Sequence, residues 1–241
     1  MAAEAHSTAT LRLTVGDLRI VHPITVPSAP VPATEVVPAL QGLVNAVVAA
    51  AEAGLTKSQE TISCRKGCGA CCRQLVPISR TEGERLLALV ETMDAERRER
   101  LHARFAAAEA VLDDAGLSAG LADRAGRSDR ELSLAYFALA IPCPFLEEES
   151  CSIHPDRPLV CREYLVTSPA ELCAGPAQEG VTPVAVPKVS MAARGLQDDG
   201  EDWFPLAGLM AWGKTRPSNR IRRTGPEWVQ RFLSAIGAQK R

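Results

Sequence analysis

Eight cysteines constrain this chain more than any other feature, because they fall into two groups with none elsewhere: Cys64, Cys68, Cys71 and Cys72, then Cys143, Cys151, Cys161 and Cys173. Any fold that joins the groups must pack residues 73–142 out of the way. Thiols at such short intervals converge on a metal centre with little backbone strain. They are not needed as staples, because 241 residues can bury a sizeable core without cross-links.

The amino terminus, MAAEAHSTAT, lacks the basic and apolar stretches of a secretory signal, and the chain shows no uninterrupted apolar run of bilayer length. The expected compartment is therefore a reducing cytoplasm, with no membrane partner. Disulfides are rare there, so clustered cysteines point to metal or redox chemistry. A net charge of -2 and 4% aromatic residues argue against nucleic acid as a partner. The basic run with Lys214, Arg216, Arg220, Arg222 and Arg223 reads as a solvated segment. A protein partner is not legible.

Along the chain, residues 11–21 alternate around Gly16-Asp17 and predict a β-hairpin. Pro23, Pro27, Pro30 and Pro32 then predict an extended connector without ladder bonding. A helix follows from a Thr34 cap, with Val37, Leu40, Val44, Val47 and Ala51 on one stripe, Pro38 in its first turn and Gly54 as its stop. Ser79 and Glu82 form a capping-box pattern for the next helix. Leu101, Phe105, Ala108 and Leu112 mark another, from Asp94 to Ala115, and Gly116 ends it. These two helices should pair as a hairpin. Residues 116–130 read as a mobile connection, and a short helix spans Leu132 to Leu139. VTPVAVPKV reads as an edge or extended segment. Thr224 and Glu227 cap a last helix carrying Trp228, Phe232 and Ile236.

The expected fold is mainly α with minor β: an irregular helical domain organised around a cysteine-rich metal site, with a small N-terminal β-hairpin. Its expected divisions are 1–33, hairpin and connector; 34–180, the cysteine domain; and 181–241, extended segment and helices packed on that domain.

In the first cysteine group a helical turn would put Cys68, Cys71 and Cys72 on one face, with Cys64 reaching in from the preceding loop. Gly67 and Gly69 would let the backbone approach a metal and aim amides at sulfur. Arg65, Lys66 and Arg73 would lower thiol pKa values. Pro142, Pro144, Pro155 and Pro158 stiffen the second group. Arg157 and Arg162 either offset thiolate charge or are plain surface arginines. His154 suits a hydrogen bond behind the ligands better than ligation. Cys173 reads equally as a ligand and as a small buried residue. Glu163 and Tyr164 could line the site.

Vicinal Cys71 and Cys72 cannot easily enter one tetrahedral site from a helix, so they serve two centres or one is spare. Two four-thiolate sites, or an iron-sulfur cluster beside a zinc, would use all eight cysteines. The spacing Cys64-x3-Cys68-x2-Cys71 also matches radical SAM enzymes, but Ala70 replaces their aromatic residue and no βα repeat follows. Vicinal thiols and glycine amides favour a 4Fe-4S cluster over zinc. No nucleotide loop, Ser/His/Asp set or HExxH motif is present, so no reaction is assigned.

Cys64, Cys68, Cys71 and Cys72, followed by Cys143-Pro144-Phe145-Leu146, Cys151-Ser152-Ile153-His154, Arg157-Pro158 and Cys161-Arg162, resemble the bacterial YkgJ-like cysteine-cluster family over roughly residues 62–175. Its signature is CxxCxxCC, and here the first gap is three residues rather than two. The resemblance implies chelation of zinc or iron. Flagellin lysine methylases resemble that family over the cysteine region, which makes a cluster-dependent enzyme one alternative and a zinc-stabilised interaction module another.

Overall fold

Residues His6–Val15 (β1) and Leu18–Pro27 (β2) form an antiparallel hairpin in which Val15 faces Leu18 across Gly16-Asp17. Gly16 has φ +60°, which suits a mirror-image turn whose twist matches the strands. The hairpin is longer than expected and takes in two of the prolines. Pro23 lies opposite Thr10, and Pro27 opposite His6. In a hairpin closed by two residues the pairs alternate, beginning with the bonded Val15–Leu18 pair, so both prolines fall on the non-bonded set. Their missing N–H groups would have pointed away from β1, and no ladder bond is lost. Pro30 and Val31 also pair, with Thr224 and Arg223.

These features come from a computed structural model that describes residues 5–118, 121, 128–175, 180–196, 203–216 and 221–238. A 3-10 turn at Ala33–Val36 leads into α1 (Val37–Lys57), which starts without a side-chain cap from Thr34. Pro38 is tolerated in its first turn. The helix passes through Gly54, because a helix stop needs a left-handed residue rather than a glycine as such. That residue is Gln59, with φ +60°. Val37, Leu40, Val44, Val47 and Ala51 form the buried stripe. By length and composition Ala33–Lys57 could cross a bilayer, contrary to the sequence reading, yet here its stripe packs on β2.

The Ser79–Glu82 capping box opens α2 (Arg80–Glu91), and Asp94 caps α3 (Ala95–Asp114), which ends before Gly116 at φ +63°. Ser128 and Glu131 form another box for α4 (Asp129–Ala138), three residues earlier than expected. Of the connection 116–130, residues 119–120 and 122–127 lie outside the described residues. Leu159–Glu163 (α5) is short, and both α2 and α3 pack against α6 (Leu209–Thr215) rather than closing mainly on each other. Thr224 and Glu227 cap α7 (Gly225–Ala238), and the buried Trp228 donates its indole N–H to the Val31 carbonyl at 2.9 Å. Of the basic run, Arg216 and Arg223 are not simply solvated, since they lie over the rings of Trp212 and Trp228, and Arg220 lies outside the described residues.

Two packing groups position the cysteines. The first joins β2, α1, α7 and residues 184–196. The second joins α2, α3 and α6 to Phe145 and Ile153, with Cys143 and Cys151 packed against it. Phe105 and Phe145 meet edge to face at 5.5 Å, which seats the second cysteine loop on α3. The architecture is mainly α with a minor β element, as expected.

Candidate metal centre

The first cysteine group folds as tight turns, not as one helical turn. Cys68 N–H donates to the Arg65 carbonyl at 3.1 Å across Gly67, whose φ of +84° needs glycine. Ala70–Arg73 then form a 3-10 turn in which Cys72 N–H donates to Gly69 at 2.9 Å. The Cys71 and Cys72 side chains interact there, and that interaction raises the Cys71 pKa. Gly69 serves packing: a Cβ would lie 2.7 Å from Leu146 Cδ1 and 2.8 Å from the Glu149 carbonyl.

The second group docks directly on the first, since Cys143 N–H donates to the Cys72 carbonyl at 2.7 Å. Leu146–Glu147 pairs with Ser150–Cys151 around Glu148 and Glu149, whose φ values of 48° and 56° are unusual for residues with a Cβ. Arg73 steadies that turn through Glu149, with contacts of 2.6 and 2.9 Å. Cys161 sits on α5, whose first amide, Leu159 N–H, donates to buried Glu82 at 2.8 Å. Cys173 lies in a 3-10 turn, Ala170–Ala174, packed on the Ala70–Arg73 turn. Gln74 donates to the Cys173 carbonyl at 3.4 Å and to the Tyr164 hydroxyl at 3.3 Å, and that hydroxyl bonds the Cys173 thiol.

All eight cysteines are free thiols, and six are shifted upward in pKa. Burial pushes Cys143 up to about 12 and raises Cys64, Cys151, Cys161 and Cys173. The bond with Cys72, then burial, raises Cys71. At Cys64 and Cys71 the expected lowering by Arg65, Lys66 and Arg73 is thus overturned, because burial dominates at Cys64, the Cys72 interaction and then burial dominate at Cys71, and Arg73 is engaged with Glu149. Amides do reach sulfur, from Val166 to Cys64, from Phe145 to Cys143, from Ile153 to Cys151 and from Cys71 to its own thiol.

Cys71 is the common neighbour. Its ionisation would oppose that of Cys64 and Cys173 and equally that of Cys143, Cys151 and Cys161. Among the described residues, no three His, Cys, Asp or Glu side chains are already set to hold a metal ion. The thiols share one region as protonated groups, and loading would have to deprotonate and draw them in. A cleft of about 330 Å³ between α3 and the 139–146 segment reaches Cys143.

Residues 63–179 match the CxxCxxCC family, described as a "Putative zinc- or iron-chelating domain". The match covers just under half of the chain. No curated protein and no solved structure matches the chain.

Within the CxxCxxCC segment the charged residues separate in role. Arg162 is buried and spends its guanidinium on the chain: Nε donates to the Arg157 carbonyl at 3.0 Å, Nη1 to Asn45 Oδ1 at 3.2 Å and Nη2 to the Pro155 carbonyl. Gln41 of α1 donates to the Asp156 and Arg157 carbonyls, both at 3.2 Å. His154 stays neutral more readily than a free imidazole, because burial and the charges of Arg157, Arg162 and Lys66 disfavour its cation. Glu163 is fully buried and accepts from Ser190, so it braces α5 instead of lining the thiols. Gln41, Gln74 and the sulfur-directed amides of Val166, Phe145 and Ile153 had no motif in the sequence. The donor set still fits a soft metal or cluster, with thiols from both groups, amides aimed at sulfur and a cation among them.

Proposed function

We propose that the CxxCxxCC segment is a composite iron-sulfur-binding site, with a 4Fe-4S cluster held by thiolates drawn from both cysteine groups. One observation carries the reading: Cys71 is electrostatically coupled both to Cys64 and Cys173 and to Cys143, Cys151 and Cys161. The Cys143–Cys72 backbone bond supports it by joining the halves next to that thiol. Cys64, Cys68, Cys71, Cys72, Cys143, Cys151, Cys161 and Cys173 are the candidate ligands, more than one four-thiolate site consumes.

Such a cluster supplies one-electron redox chemistry or an open iron. The chain's own contribution is to bury the sulfurs, direct the Val166, Phe145 and Ile153 amides at them and hold Arg157 nearby. Eight free thiols suit a reducing cytoplasm, which completes the reading. The test is anaerobic purification with iron, sulfide and zinc analysis and a visible spectrum. Brown protein with iron, sulfide and a charge-transfer band is expected. Colourless zinc-loaded protein would replace the cluster with zinc. Folded protein that takes up neither on reconstitution would sink the metal reading.

A further inference from the structure

Arg157 has an unusual position for a cation. Its Nε is buried and has no hydrogen-bond partner. Its backbone is held from two sides, since its carbonyl accepts from Gln41 Nε2 and Arg162 Nε. Arg162 meets its own donor needs on backbone carbonyls and Asn45, and Arg73 meets its own on Glu149. Arg157 alone among these arginines leaves a buried N–H unspent. Its charge acts on Cys64 of the first group, on Cys151 and Cys161 of the second and on Cys71 between them.

A buried unpaired N–H costs about 1–3 kcal/mol, and Arg157 is a half-buried cation, which gains from a nearby counter-charge. With the thiols protonated, neither is supplied from the cysteines. A thiolate-bound centre supplies both, because four thiolates leave net negative charge on zinc or on an iron-sulfur core.

Resting on the metal-site reading above, we infer that Arg157 is the charge-compensating, sulfur-directed donor of the loaded site, with Nε–H bonding a ligand or core sulfur. It is a positioning residue: it forms no bond to metal but sets the charge the site can carry. Its cation stabilises the more negative, reduced form of a cluster, so removing it makes reduction harder. It also stabilises the thiolates against reprotonation and loss of the metal.

The experiment compares the full chain with Arg157→Gln and Arg157→Lys after anaerobic reconstitution with ferrous iron and sulfide, and separately with zinc. Metal content, loss to a competing chelator and the midpoint potential of the iron form are measured. Arg157→Gln is expected to lose metal about tenfold faster and to shift the one-electron reduction equilibrium about tenfold, or about 59 mV more negative. Arg157→Lys keeps the charge and is expected to hold the potential near that of the unaltered protein. Equal retention and equal potential in Arg157→Gln overturn the inference. So does an equal fall in both variants, which would mark a purely structural role. Should Arg157→Gln fail to fold, a tenfold shift in Arg157→Lys still overturns the charge role. Failure of the unaltered chain to take up either metal refutes the metal site itself, a result distinct from failure at Arg157 alone.

Discussion

Glu163 gives the metal-free protein a pH-dependence that one substitution isolates. Its carboxylate is fully buried and accepts from Ser190 N–H at 2.7 Å and from Ser190 Oγ at 2.6 Å. Burial outweighs those bonds and raises its pKa from 4.5 to about 7. Between these values the native state keeps a proton that the unfolded chain has released, so stability falls as pH rises. The contribution is complete below pH 4.5 and lost above about pH 7. The interval is 7 − 4.5 = 2.5. At about 1.36 kcal/mol per pH unit this is roughly 3 kcal/mol, a large share of the 5–15 kcal/mol typical of a whole domain, about a fifth or more. Glu163→Gln preserves the shape and an acceptor for Ser190 but cannot ionise. Urea unfolding of both proteins under reducing, metal-free conditions from pH 4.5 to 8 should show the variant gaining on the parent by roughly 3 kcal/mol across that range. Parallel curves would refute the premise that desolvation outweighs the two hydrogen bonds. A gain by the parent would reverse its sign.

Three further outcomes test the site. Gly69→Ala places a Cβ against Leu146 and the Glu149 carbonyl, so it should cost about 1–3 kcal/mol by overpacking and increase the alkylation rate of Cys151; an unchanged rate would mean that the turn yields without moving the thiol. Gln41→Ala removes two hydrogen bonds to the Asp156 and Arg157 carbonyls and should cost about 1–2 kcal/mol, readable as a lower melting temperature, whereas an unchanged one would show that the loop is held without α1. Because burial raises the pKa values of Cys64, Cys143, Cys151, Cys161 and Cys173, metal uptake should release protons and tighten by about tenfold per pH unit for each thiol proton lost. Chelator competition between pH 6.5 and 8.5 that shows no pH-dependence would contradict this.

The sequence was most informative where structure depends on near neighbours. The Ser79–Glu82 and Thr224–Glu227 boxes, the Gly16-Asp17 turn, the α1 and α3 stripes and the stop at Gly116 all follow from bonds or side chains a few residues apart. The grouping of the cysteines, and with it the CxxCxxCC family, is local in the same sense. Errors arose where a local signal met a longer-range fact. Pro23 and Pro27 looked incompatible with a strand, but pairing parity set by β1 aims their missing amides outward. Lys66 and Arg73 looked like thiol activators, but burial and Glu149 decide otherwise.

By itself, then, the sequence determined that the chain is mainly helical, that α2, α3 and α7 start at their local caps, and that its cysteines form two groups suited to metal. Tertiary structure alone decided that Cys143 docks on Cys72, that Cys173 is tied to Gln74 and Tyr164, and that Arg157 rather than Arg162 holds an unspent buried donor. The physical reason is range. A cap or turn is satisfied within three or four residues, whereas the Gln41–Arg157 and Arg73–Glu149 contacts span 116 and 76 positions and exist only once packing has brought those segments together.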